Sequence, residues 1–316
     1  MLILAQICGS GVIARCFVKA LPIFVVCVGL SSPAFAKDDD DDDGAAKPTT
    51  PTTYIDLRTS YANIPGGSLG IGFGGTSSLF TVLQSIALAT GNTLPAMPTS
   101  MKLPRVQGVS LDIPMTVDVT DRVSIWGGVS ASANSLPVGG WTTVDITSWN
   151  IGFQADLYQQ NGGQFPTVTL QSTITQAIPN GPFVTTNFQN ILEFDYAFDA
   201  DETKGRLAGV QDTRVDVGSG GVPARINSAT IGYIGGYYQW PNNWKFIARA
   251  GVQSFGGVQL LNRTVIGPFT EPIVRFDLDR MDDNDNRLFG VMFEVQWIPK
   301  PAYLLTFRTP VFLVRN

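Results

Sequence analysis

Leu111, Ile113, Met115, Val117 and Val119 alternate with Ser110, Asp112, Pro114, Thr116 and Asp118. Successive side chains of a β-strand point to opposite faces, so this run is a strand with one apolar and one polar side. After a tight turn at Thr120-Asp121 the pattern repeats, with Val123, Ile125, Gly127, Val129 and Ala131 set against Ser124, Trp126, Gly128, Ser130 and Ser132. Val168, Leu170, Ser172 and Ile174 then oppose Thr167, Thr169, Gln171, Thr173 and Thr175, and Phe289, Val291, Phe293, Val295 and Trp297 oppose Gly290, Met292, Glu294 and Gln296. Such runs of about 10 to 17 residues far exceed the usual soluble strand of about 5 to 6. Long strands with one apolar face suit a tilted crossing of a bilayer. A bilayer interior supplies no backbone partners, so a sheet placed there has to close on itself.

Reading the alternation along the chain predicts strands at 54–62, 106–119, 122–134, 142–158, 165–178, 183–199, 203–217, 224–239, 244–258, 271–280, 287–298 and 302–314. The fold class is therefore all-β: a closed antiparallel transmembrane β-barrel of about 12 strands occupying 54–316, an even number that returns both chain ends to one side. A soluble sandwich is the competing architecture. It accounts less well for the strand length, for the low charged fraction of 15%, and for the aromatics. These bracket the turns: Tyr158 and Phe165 flank Asn161-Gly162-Gly163, Tyr196 and Phe198 precede Ala200-Asp201-Glu202, and Tyr237, Tyr238 and Trp240 face Trp244 and Phe246 across Pro241-Asn242-Asn243. Rings with one polar edge favour the membrane interface, which predicts a girdle.

Residues 63–105 interrupt the pattern. The Gly-rich GGSLGIGFGG leads into a stretch where Leu79, Val82, Leu83, Ile86 and Ala87 recur at helical spacing, with Ser77 as N-cap and Gly91, Pro95 and Pro98 as terminators. The expectation is a helical insertion near the N-terminus whose apolar stripe is Leu79, Val82, Leu83 and Ile86. Two placements stand: a plug or constriction inside the barrel, or a helix packed over its mouth.

The N-terminal region reads as an address. Arg15 and Lys19 precede an apolar run from Ala20 to Leu30, and Ala34-Phe35-Ala36 closes it, which is the order of a secretory signal peptide at 1–36. The apolar run is about half the roughly 20 residues a spanning helix needs. Residues 37–53, with six consecutive aspartates at Asp38–Asp43 followed by Thr-Pro clusters, have too little apolar surface to order themselves and read as an acidic tail. Like charges resist collapse, so the tail is expected to keep the unfolded chain soluble in transit.

Cleavage there removes Cys8, Cys16 and Cys27, all three cysteines of the chain, and no histidine is present anywhere. Ser-His and Cys-His nucleophile pairs and the usual zinc sites are thus excluded. No phosphate-cradling loop is found, because the glycines of GIGFGG lack both the strand-to-helix context and a following Lys. A nucleic-acid partner would need a basic footprint. The 21 basic residues, Arg15 and Lys19 among those removed, are instead outnumbered by 26 acidic ones. Glu193 and Asp195 share one strand face at glycosidase-like separation, but a water-facing wall accounts for them. The reading is a non-enzyme that needs no cofactor or metal.

The polar strand faces predict a wet interior lined by Asp112, Asp118, Asp156, Glu193 and Asp195 on earlier strands and by Lys245, Arg249, Arg275 and Arg308 on later ones. Acidic and basic walls facing each other would set an ionic preference; neutralising pairs in a plugged barrel are the alternative.

With its long strands, short connections such as VTDR (119–122) and PKPAY (299–303), and early helical insertion, the chain resembles the outer-membrane β-barrels of Gram-negative bacteria. Among them it is similar to the transporters grouped as "meta-pathway of phenol degradation" proteins. The resemblance implies residence in the outer membrane, contact with its lipid, insertion by the barrel-assembly machinery, and passage of a small solute, hydrophobic or aromatic in character. A structural or surface-interaction barrel with a closed lumen is the alternative function. One departure is plain: such barrels usually end on an aromatic residue, whereas this chain ends Phe312-Leu313-Val314-Arg315-Asn316. N-terminal sequencing of the protein purified from membranes is expected to read from Lys37; an intact Met1 would remove the signal-peptide reading.

Overall fold

A strand that crosses a membrane must place every backbone N–H and C=O on a neighbouring strand, and this constraint fixes the topology. The computed structural model describes residues 51–66, 72–73, 105–136, 140–160, 162–178, 183–219, 224–260, 263–283, 286–297 and 300–314. In chain order its strands are β1 (Thr53–Ile64), β2 (Val106–Thr120), β3 (Val123–Leu136), β4 (Gly140–Trp141), β5 (Asp145–Tyr158), β6 (Thr167–Ala177), β7 (Phe183–Ala197) and β8 (Lys204–Ser219). They continue with β9 (Ala224–Ile226), β10 (Ala229–Gln239), β11 (Trp244–Phe255), β12 (Val258–Leu260), β13 (Arg263–Ile266), β14 (Phe269–Met281), β15 (Arg287–Gln296) and β16 (Ala302–Val314). The twelve long strands pair antiparallel with their sequence neighbours from β2 to β16, and β1 pairs with both β2 and β16. That last pairing joins the ends of the meander and closes the barrel.

Each predicted long strand corresponds to an observed one, with two revisions. The strand expected at 224–239 breaks at Asn227-Ser228, where the Asn227 side chain donates to the Gly256 carbonyl at 2.6 Å, leaving the short β9 ahead of β10. The strand expected at 244–258 ends at Phe255, and beyond it β12 and β13 form a hairpin that pairs with β9 in a separate three-stranded sheet. This sheet lies between the ends of β8, β10, β11 and β14. The helix expected around Leu79, Val82, Leu83 and Ile86 falls outside the described residues.

The longest connections lie at one end. At the other end, which carries both chain termini, strands are joined by turns such as Asp121-Arg122, 198–203 and 240–243. In the 198–203 turn Asp199 accepts the Thr203 hydroxyl and the amides of Thr203 and Lys204. The Thr203 hydroxyl, helped by those amides, holds the Asp199 carboxyl below its ordinary range. Its contribution to the turn is thus complete above the usual carboxylate pKa and lost as pH falls through the depressed value. The opposite end carries the connection from β1 to β2 and the β9–β12–β13 sheet.

The register separates two faces. Outward are Val109, Leu111, Met115, Ile125, Ile151, Val210, Ile234, Val252, Phe276 and Phe307, all exposed. Ring pairs Tyr158–Phe165, Tyr196–Phe198, Tyr238–Trp240 and Trp244–Phe289 sit at the short-turn end, with centroids 5.1 to 6.0 Å apart. Exposed rings also mark the other end, at Tyr61, Trp141, Trp297 and Tyr303. Tyr237, expected in the girdle, belongs to the opposite face: it is buried and pairs with Gly205 and Ile247. Alternation decides this, since Tyr237 and Tyr238 cannot share a face.

An outer surface of this kind is stable only against an apolar solvent. Ile234, at the centre of β10 and 70% exposed, is expected to sit near the bilayer midplane. Ile234→Arg should lower stability in liposomes by about 2–4 kcal/mol, read by urea unfolding; a loss below the error of the measurement would place β10 outside the membrane.

Candidate functional site

The other face of the ring is polar. Following the register from β1 to β16 puts Asp112, Asp118, Asp156, Glu193, Asp195, Lys245, Arg249, Arg275 and Arg308 all on it. That this is the concave face follows from one contact. Arg249 on β11 reaches Glu193 on β7, with Nε to Oε2 at 3.3 Å, although β8 and β10 lie between them. Three strand spacings span about 14 Å along the wall, and only side chains crossing the interior close that gap.

The two sides meet because small residues stand between them. Gly209 of β8 sits opposite both Glu193 and Tyr233, and a Cβ there would run into the Tyr233 ring and hydroxyl. Without one, the phenol lies flat along the wall and donates to Glu193 Oε2 at 2.8 Å. The motif recurs one step away: Tyr237 lies over Gly205 and is hydrogen-bonded to Asp195. Lys245 Nζ caps the Tyr237 ring at 4.8 Å from its centroid.

Arg249 also donates from Nη1 to Asp277 Oδ2 at 3.0 Å. Asp277 in turn accepts from Arg275 Nε at 3.0 Å and Nη2 at 2.8 Å. Glu193, Arg249, Asp277 and Arg275 thus form a chain of two carboxylates and two guanidinium groups. A second cluster joins the closing strands, where buried Asp56 accepts from Arg58 Nε at 2.7 Å and from Arg308 Nη2 at 2.8 Å. Close by on the ring, Asp279 accepts from Arg287 at 2.9 Å. The remaining acids expected in the interior have neutral partners. Asp112 accepts from Ser130, Asp118 from Ser124 at 2.7 Å, and Asp156 from Thr169 at 2.8 Å.

This arrangement replaces the picture of an acidic wall facing a basic one. β14 alone carries Glu271, Arg275, Asp277 and Asp279 on its inner face, so both signs alternate within the side that was expected to be basic. Asp56, Arg58, Asp277, Asp279, Arg287 and the two tyrosines are participants that the expected set omits. For Asp277 and Asp279 the signal was in the sequence, since Glu271, Ile273, Arg275, Asp277 and Asp279 follow one another at intervals of two. Among the described residues no group of three or more His, Cys, Asp or Glu side chains is arranged to hold a metal ion.

A solved structure of similar fold supports this architecture. The chain is similar to an outer membrane channel from Pseudomonas putida F1, with a TM-score of 0.52 at 11% identity over 87% of this chain and 100% of that one. The translocator domain of the autotransporter NalP from Neisseria meningitidis gives a TM-score of 0.46 at 10% identity, over 96% of this chain and 97% of that one. No protein-family model matches, and no curated protein matches in sequence. At such identity the likeness to the Pseudomonas channel is one of fold: a closed transmembrane β-barrel.

If Glu193 and Arg249 act as a unit, their removal is not additive. A double-mutant cycle with Glu193→Ala and Arg249→Ala should give a coupling of about 1–3 kcal/mol in urea unfolding. Strict additivity would mean that solvent in the interior already screens the pair.

Proposed function

We propose that this chain is an outer-membrane channel that passes a small solute, related in kind to the "meta-pathway of phenol degradation" transporters that it resembles. The observation that carries the reading is the pairing of two opposite faces on one closed ring. The outer face is apolar and exposed, and the inner face bears charged and hydroxyl side chains throughout its circumference. Rings of charge and hydrogen-bonding groups are the parts from which pores are built, and a twelve-strand barrel is wider than the eight-strand kind that its own side chains fill.

In this reading residues 1–36 export the chain and are removed, and 37–53 form a hydrophilic leader on the side of the short turns, the periplasm. The barrel-assembly machinery then inserts 54–316 into the outer membrane. Asp112, Asp118, Asp156, Glu193, Asp195, Lys245, Arg249, Arg275 and Arg308 line the path. Their pairing with opposite charges or hydroxyls supports a path of weak net ionic preference, and the protein acts as a conduit without catalysis. A surface-interaction barrel with a packed interior gives no reason for so many charged groups on the inner face.

The segment 63–105 narrows the path, with a helix whose stripe is Leu79, Val82, Leu83 and Ile86 set obliquely against the wall. A helix of about 14 residues is about 20 Å long, comparable with the height of such a lumen. In planar bilayers the purified protein should give discrete conductance steps, and deletion of residues 76–98 should enlarge them while gel mobility remains heat-modifiable. Absence of steps in the full chain would contradict the channel. An unchanged step size in the deletion would put the helix outside the path.

A further inference from the structure

Apolar residues of the inner face gather into one buried cluster. Leu207 of β8, Ile231 and Tyr233 of β10, and Ile273 of β14 are all buried together in it. Tyr237 of β10 belongs to the same cluster and Ile247 of β11 packs against it. Phe73, which comes from the connection between β1 and β2, is seated among them. The Phe73 ring meets Tyr233 edge-on, with centroids 5.0 Å apart and planes at 85°.

The backbone of the same two residues is held by the wall. Gln211 Nε2 donates to the Gly72 carbonyl at 3.1 Å, and Gln189 Nε2 donates to the Phe73 carbonyl at 3.4 Å. On its other side Gly72 lies directly against the Glu294 and Gln296 side chains of β15, with no room for a Cβ. Residues 72–73 therefore reach from β7 and β8 to β15 through the interior.

We infer that the Leu207–Ile231–Tyr233–Ile273 island is a binding site for an uncharged single-ring aromatic solute, and that Phe73 occupies it as an internal competitor. This rests on the channel reading above. The size and shape of the site are set by its present occupant, a benzyl group, and the edge-on approach to Tyr233 is the geometry that aromatic pairs favour over aliphatic ones. The charge beside it argues for an uncharged ligand. Glu193, Arg249, Asp277 and Arg275 are engaged with one another in equal numbers of each sign, so a carboxylate on the solute would have to break an existing pair. A phenolic or benzylic hydroxyl needs only one hydrogen bond, which the carboxylate and hydroxyl groups at the rim can supply.

A ligand that competes with a tethered side chain binds with its intrinsic affinity reduced by the fraction of empty site. The test is isothermal titration of phenol and of cyclohexanol into the full mature protein in detergent, corrected for the micelle blank. Phe73→Ala should bind phenol about tenfold more tightly than the parent, with a smaller gain for cyclohexanol. Adding Ile231→Gln should abolish the gain. Should Phe73→Ala not fold, Phe73→Leu should show a smaller gain in the same direction. No gain in the folded variant, or an equal gain for both probes, overturns the site. Conductance measured on the same preparations separates the two claims. A phenol gain in a protein that never conducts would leave the site and remove the channel, whereas conduction without a gain would do the reverse.

Discussion

Everything in this molecule depends on the absence of a hydrogen-bond partner in lipid. An unpaired backbone group in a hydrocarbon layer costs several kcal/mol, so no strand can stand at an open edge. The pairing of β1 with both β2 and β16 removes the edge, and the twelve-strand ring then fixes the rest. One set of alternate residues must dissolve in lipid and the other is enclosed. Polar side chains on the enclosed set are tolerated because they face each other and the interior, not the membrane.

Within that enclosure the energetics turn on reach. Side chains on one wall meet those two strands away where glycine flattens the surface between them, as Gly209 does for Tyr233 and Glu193. Charges in a partly desolvated space must be matched or they are costly. The inner face satisfies this with short alternating chains of acid and base rather than with segregated walls. The same ring carries a buried apolar cluster, and the connection between its first two strands supplies the aromatic ring seated in it.

The strands were legible because period two is imposed by the backbone and by the two solvents on either side of it. Long runs such as 106–119 and 183–199 declared their position and which residues share a face. Which charges meet was not legible. Glu193 and Arg249 are separated by 55 residues of sequence, and their contact depends on ring closure and on a glycine in an intervening strand. Tyr237 was misassigned because aromatics near a turn suggest a girdle, whereas its parity within β10 puts it inside. The island around Phe73 was hidden for a similar reason: its members come one or two at a time from β8, β10 and β14, and only the closed ring gathers them.

The central claim is that one set of alternate residues faces water and the other faces lipid. The mature chain contains no cysteine if residues 1–36 are removed, so single cysteines introduced along β11 report without background. In liposomes, a charged membrane-impermeant maleimide should label Cys substituted at Lys245 or Arg249 and spare Cys substituted at Ala248, Ala250 or Val252. Labelling at every position, or in the opposite alternation, would contradict the barrel with a wet interior described here.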